Sequence, residues 1–418
     1  MNAPFAHRHH PFPRVAREAG VSRGSLVALL IAAFVSASGC TFIAYPGSTI
    51  RGCARDGGDR QFVAEPEAVS IVALGDFGSA DEGRGAAVGA ALKAFLGAQS
   101  LTPAAAVLLG DNFYNAGLIG GTRCPWWGSA GDPAAITQQL DAVIAPFEFL
   151  RQQTTTYVVP GNHDHGCPRL KSLENEADID QWLPPARAWG DRWQFRSGLP
   201  TEAIVGDLVQ IVFIDSEQMI EDGDVLNASL DRLRELLAHG SYRWRLVAGH
   251  HPLYTNGPHD GAGWTGAMLK ALYYPLHLLV FPPFVYGNEG AYEWRYRRYR
   301  DRLEQLFAER RIDVFLAGHE HALELLAANG AGQPLTVVSG SAAKCSPLMR
   351  RSNTIFSASQ NGFALLTATR QRLEVEFVGT TACDDGKVCP QPAQLGAWHR
   401  LFGYGLPPAA SPISAPSN

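Results

Sequence analysis

Five times along this chain a short apolar run ends abruptly in a cluster of glycine, aspartate, asparagine or histidine. The clusters are Gly75-Asp76-Phe77-Gly78, Gly110-Asp111-Asn112-Phe113-Tyr114, Gly161-Asn162-His163-Asp164-His165, Gly249-His250-His251-Pro252 and Gly318-His319-Glu320-His321. The runs ahead of them read as strands: Val69 to Leu74, Ala105 to Leu109, Thr156 to Val159, Arg245 to Ala248 and Val314 to Ala317. In α/β folds sites lie where strands end and loops begin, so five such loops predict one shared site.

Helical patterns at Gly85 to Leu96, Ala134 to Ile144, Ala228 to Ala238 and Arg300 to Arg310 alternate with these strands and with a further strand at Val209 to Ile214. This is a βαβ rhythm. Leu335 to Ser339, Gly362 to Ala368 and Leu373 to Val378 follow without intervening helices and are expected to pair antiparallel.

The clusters supply carboxylates, imidazoles, an amide and a phenol. Oxygen and nitrogen donors of this kind suit iron, zinc or manganese, and no cluster offers a thiolate as its obvious ligand. There are enough donors for two ions, with one carboxylate between them to reduce the repulsion of cations roughly 3.5 to 4 Å apart. The glycines leave room for sharp turns and for close approach of the backbone.

In this order the clusters resemble those of the calcineurin-like metallophosphoesterases, and Gly-Asp-Asn-Phe-Tyr resembles the purple acid phosphatases, especially their tartrate-resistant, mammalian-type branch. The resemblance spans residues 69 to 326. It implies a four-layer α-β-β-α sandwich of two mixed sheets with flanking helices. It implies that Asp76, Tyr114 and His321 hold a ferric ion, that Asp111 bridges, and that Asn162, His250 and His319 hold a second ion, Fe(II), Zn or Mn. A phenolate ligand fits this scheme, because a group with a free pKa of about 10 is deprotonated readily only by a strongly Lewis-acidic ion. His163 resembles the family's substrate-contacting histidine and His259 its second one, and either can protonate the leaving group. His165 and His251 are set aside as structural, and Asp164 and Glu320 as partners that orient an imidazole.

The implied function is hydrolysis of phosphate monoesters by attack of a hydroxide held at a dinuclear centre. The same ions also suit a phosphodiester or nucleotide, and the fold alone suits a non-catalytic, lipid-anchored binding protein. The long loop from Leu118 to Ala130 and an apolar insert near 264–297 depart from the mammalian-type pattern and leave substrate preference open. Within the insert, Ala271 to Tyr286 is almost wholly apolar but broken by Pro275, Pro282 and Pro283, and the basic aromatic stretch Trp294 to Arg300 follows it. The insert suits core packing with a solvated helix face, a lid over the site, or a membrane-facing patch.

Arg14, Arg17 and Arg23 precede an uncharged run from Gly24 to Gly39, the pattern of an export signal. Ala37-Ser38-Gly39-Cys40 resembles a lipobox, so residues 1–39 are expected to be removed and Cys40 lipidated. That places the enzyme in a bacterial cell envelope, membrane-tethered or periplasmic. Residues 40–66 then form a tether, 67–382 the catalytic domain, and 383–418 an extension whose end, 407–418, is a disordered tail. The chain has seven cysteines. Setting Cys40 aside leaves an even number, as expected for disulfides in an exported chain, though spacing does not give their connectivity. A formal net charge of -5 over 418 residues argues against nucleic acid as a partner and leaves a small phosphate ester as the expected one.

Overall fold

The computed structural model describes residues 53–55, 67–79, 83–114, 117–118, 133–165, 192–257, 259, 294–348, 351–382, 390–392 and 394–406. All lie in the compact unit Thr49–Asn418. The export signal, the loop 119–130, the apolar stretch 271–286 and the tail 407–418 fall outside the described residues. Among the described residues no helix is long and apolar enough to cross a membrane.

Two mixed sheets carry the fold. The first has the order β15-β14-β13-β2-β3-β4-β5, in which β2 (Val69–Leu74), β3 (Ala105–Leu109), β4 (Thr155–Val159) and β5 (Trp193–Phe195) run parallel. Strand β13 (Gly362–Ala368) adds antiparallel to β2, followed by β14 (Leu373–Gly379) and β15 (His399–Leu406). The second sheet has the order β1-β12-β10-β11-β9-β8-β7-β6. Its parallel centre is β7 (Val209–Phe213), β8 (Trp244–Ala248), β9 (Val314–Ala317) and β11 (Leu335–Ser339). Antiparallel β6 (Thr201–Val205) closes one edge, and β10 (Leu323–Leu326), β12 (Thr354–Ala358) and β1 (Cys53–Arg55) the other.

Strand alternation explains the layering. In β2, Ile71 and Ala73 enter a core shared with Val209, Ile211, Leu246, Val314 and Leu316 of the other sheet, while Val72 and Leu74 face the outer side. That outer side packs on the helix α1 (Arg84–Ala98) through Val88, Leu92 and Phe95, and on α2 (Pro133–Ile144) and α3 (Glu148–Gln153). The outer face of the second sheet packs on α4 (Ser216–Glu221), α5 (Gly223–Ala238) and α6 (Trp294–Glu309). Because both faces of each central strand are covered, these strands read as unbroken apolar runs. The result is the four-layer α-β-β-α sandwich. The sheets are also locked at the end away from the site, where buried Trp244 donates from Nε1 to the Thr369 carbonyl at 2.7 Å.

Some elements differ from the sequence pattern. Strand β11 lies parallel to β9, not antiparallel, because the connection between them is the strand β10, which sits on the far side of β11. Strand β1 falls within the stretch 40–66 expected to be a tether, and β15 within the extension 383–418; each extends an edge of a sheet. The basic aromatic stretch opens α6, with Tyr296 and Tyr299 buried and Trp294 60% exposed. The two tyrosines donate to the carbonyls of Pro252 and His251 and so support a site loop from below. Of the six cysteines left after Cys40, only Cys345 has a described side chain, so the disulfide pattern lies outside the described residues.

Candidate metal centre

All five clusters sit at the carboxyl ends of parallel strands, β2, β3 and β4 on one sheet and β8 and β9 on the other. Backbone hydrogen bonds knit these ends together: Asp76 N to Gly110 O at 2.9 Å, and Gly318 N to His250 O at 2.9 Å. Asp76, Asp111 and His319 adopt positive φ values of 58°, 52° and 66°. That left-handed conformation costs a residue with a Cβ roughly 1–2 kcal/mol, and it turns each side chain inward from a strand end. Gly110, at φ 87°, is required by close approach as well, since a Cβ there would lie 2.5 Å from His250 Nδ1.

The nine residues singled out from sequence converge. Tyr114 Oη donates to Asp76 Oδ1 at 2.8 Å and lies 3.3 Å from His321 Nε2, which is itself 3.5 Å from Asp76 Oδ1. A second group forms around Asn162 Oδ1, with His250 Nε2 at 3.0 Å and His319 Nδ1 at 3.1 Å. Asp111 lies between the groups: Oδ1 is 3.3 Å from His250 Nε2 and accepts from the His163 amide at 3.0 Å. Oxygen or nitrogen atoms of Asp76, Asp111 and His250 fall within 4.8 Å of one another, as do those of His250, His251 and His319. His163 and His259 stand at the rim, their side chains 27% and 24% exposed. The His163 ring lies 4.4 Å from that of Tyr114, and the His259 ring 4.3 Å from that of His319.

Electrostatics prepare this site for cations. Burial and the neighbouring Asp111 push Asp76 well above the usual carboxylate range. Burial alone would raise Asp111 too, but His250 and His163 hold it below that range. Burial and the two carboxylates also raise the Tyr114 phenol. His250 and His321 are lowered, first by burial, so their nitrogens keep their lone pairs. The His250 tautomer is fixed, because Nδ1 faces the Leu109 carbonyl at 2.7 Å and leaves Nε2 for the site. Two carboxylates, an amide oxygen, a phenol and three imidazoles are a donor set that fits two hard or borderline ions.

The surrounding residues partly follow expectation. His251 has its Nδ1 2.8 Å from Ser216 Oγ, and His165 has its Nε2 2.9 Å from Asp215 Oδ1. Glu320 does orient an imidazole: its Oε2 is 3.3 Å from His259 Nδ1 and accepts from the His259 amide at 3.1 Å. Asp164 does something else. It accepts from the amides of Asn112, Phe113 and Gly161 and from Asn112 Nδ2, which staples the loop after β3 to the loop after β4. Lys344 was not foreseen. It follows the end of β11, where Gly340 sits so close that a Cβ would lie 2.6 Å from Asp76 Oδ2. The glycine after an apolar strand was the signal that marks this sixth loop.

A two-sheet sandwich that gathers carboxylates, an amide and imidazoles at its strand ends is the architecture of a metal-dependent phosphoesterase. The chain belongs to the calcineurin-like phosphoesterase family, whose model matches residues 69–323. Among solved structures it is similar to PhoD, with 11% identity, coverage of 82% of this chain and 70% of that one, and a TM-score of 0.50. It is also similar to the purple acid phosphatase PPD1 from yellow lupin seeds, at 15% identity and a TM-score of 0.49, covering 81% of this chain and 54% of that one. GAP50, the anchor in the inner membrane complex of Plasmodium, is 18% identical over 80% of this chain and 89% of its own, with a TM-score of 0.46. No curated protein matches the chain significantly.

Proposed function

We propose that this protein is an exported acid phosphatase of the purple acid type that hydrolyses phosphate monoesters with two metal ions. Asp76, Tyr114 and His321 would hold a ferric ion, Asn162, His250 and His319 would hold Fe(II), Zn or Mn, and Asp111 would serve both. When bound, such a pair of ions supplies an activated water and neutralises charge on the phosphoryl oxygens. The chain's own part is to orient the ester and return a proton. His163 or His259 donates that proton to the ester oxygen as its bond to phosphorus breaks, while the water oxygen becomes the fourth oxygen of phosphate. Export rests on the arginine-flanked apolar run before Cys40, and lipidation of Cys40 tethers the enzyme to the membrane. The mammalian-type branch within this class is supported by the spacing of His259 after His250.

The observation that carries the metal assignment is the phenol of Tyr114, buried beside Asp76 and His321. A phenol raised by burial and by two carboxylates becomes a ligand only when a strongly acidic cation displaces its proton. Purified, iron-replete protein is expected to show a visible phenolate-to-ferric absorption band that Tyr114→Phe removes, with nitrophenyl phosphate cleaved faster than its bis ester. Colourless, metal-free protein from an iron-replete preparation would falsify the assignment.

A further inference from the structure

The loop after β7 carries none of the donors assigned to the centre, yet it grips both histidines of the adjacent pair His250-His251. Its Ser216 opens α4 and is fully buried. Asp215, just before it, caps that helix by accepting from the Gln218 amide at 3.2 Å, and it accepts from the Gly198 amide at 3.2 Å, so the serine sits on a braced turn. Ser216 Oγ accepts from the amides of His250 and His251, at 3.2 and 3.1 Å, and lies 2.8 Å from His251 Nδ1. Tyr299 lies against the same hydroxyl and donates its own proton to the His251 carbonyl at 3.3 Å.

Counting protons gives the direction of the shortest contact. A hydroxyl has two lone pairs and one hydrogen. The two amides fill the lone pairs, and if His251 Nδ1 donated as well, three N–H groups would compete for two places. The serine hydrogen therefore goes to Nδ1. A neutral His251 then carries its own proton on Nε2, which faces Glu217 Oε2 at 3.5 Å. His250 is arranged the opposite way, with Nδ1 on the Leu109 carbonyl at 2.7 Å and Nε2 left for the site, 3.0 Å from Asn162 Oδ1. The two rings stand 85° apart, with centroids 5.0 Å from each other. Distance alone would admit both to one ion, since a nitrogen of His251 lies within 4.8 Å of nitrogens of His250 and His319. A nitrogen that carries a proton cannot ligate, so the serine hydrogen decides between them.

We propose that Ser216 is a positioning residue that selects the ligand from this adjacent pair: it leaves His250 to the second ion and withholds His251. The inference rests on the two-ion reading above and deepens it. In the zinc-loaded protein, nitrogen NMR of isotope-labelled histidine is expected to show His251 protonated on Nε2 alone, its signals identified by their absence in His251→Gln. That variant should keep the second ion, with zinc affinity by calorimetry close to that of wild type. In iron-loaded protein titrated with zinc, Ser216→Ala should weaken zinc binding about tenfold, the scale for a lost partner of a ligating histidine, while the first ion and its visible band stay. The same variant should let His251 populate both tautomers.

A proton on His251 Nδ1, or loss of zinc in His251→Gln, would overturn the proposal. A folded Ser216→Ala protein with unchanged zinc affinity would overturn it too, and if that variant does not fold, the His251 spectrum and His251→Gln decide. Wild-type protein that binds no second ion would sink the two-ion reading and this inference together, whereas a bound ion with His251 protonated on Nδ1 would sink this inference alone.

Discussion

The two sheets contribute unlike halves of one site. The seven-stranded sheet supplies the oxygen donors, Asp76 after β2, Asp111 and Tyr114 after β3, and Asn162 after β4. The eight-stranded sheet supplies the nitrogen donors, His250 after β8 and His319 and His321 after β9. The oxygen side is crowded with carboxylates and held by hydrogen bonds to amides, while burial pulls His250 and His321 on the imidazole side below the ordinary histidine range. Neither half is a site alone. They meet through His250 Nδ1 on the Leu109 carbonyl and through the His319 amide, which donates to Asp76 Oδ2 at 2.9 Å.

The sharpest way to break this comparison is to remove one donor from each half. Asp111→Ala should lower ester cleavage by at least about 1000-fold and strip both ions, because the bridge belongs to both. His250→Ala should cost about 100-fold and leave one ion in place, as read by metal analysis. Loss of the same ions in both variants would erase the distinction.

The oxygen side can next be tested for its dependence on amide bonding. Asp164→Ala leaves the amides of Asn112, Phe113 and Gly161 without their acceptor, and is expected to destabilise the fold by about 3 kcal/mol in urea unfolding. A change near zero would show that the staple is incidental.

The smallest effect lies beneath the imidazoles. Glu217 Oε2 is 3.5 Å from His251 Nε2, and burial pushes its carboxyl up to about 8. The folded chain therefore holds a proton that the unfolded chain releases above the ordinary glutamate range. The stabilisation is complete at pH below about 4.5 and is lost as pH rises towards 8. Glu217→Gln should abolish this slope and be more stable than wild type at pH 8. The difference should be about 2 kcal/mol, short of the full shift because 17% of the side chain reaches solvent.

The half of the site legible in sequence was its donors. Strands such as β2 and β3 are uninterrupted apolar runs that stop at Gly-Asp, and each stop is visible without knowing its neighbours. What stayed hidden depends on distant pairings. Nothing in Leu335 to Ser339 shows that β10 will step past it and leave β9 as its parallel partner. Trp193–Phe195 and Leu323–Leu326 are too short to declare a period. Asp164 reads from sequence as a partner of an imidazole, because its bonds to Asn112 and Phe113 span about fifty residues. Lys344 escaped notice because a lysine in a loop reads as solvated until the phenol beneath it is seen.

The left-handed backbone at Asp76, Asp111 and His319 sets stability against use. A library screened only for heat resistance would drift toward glycine at these three positions, relaxing the backbone and relieving crowded charge. Each gain would discard a donor. Positions where heat resistance and turnover pull in opposite directions would then trace the outline of the site, with no substrate in hand.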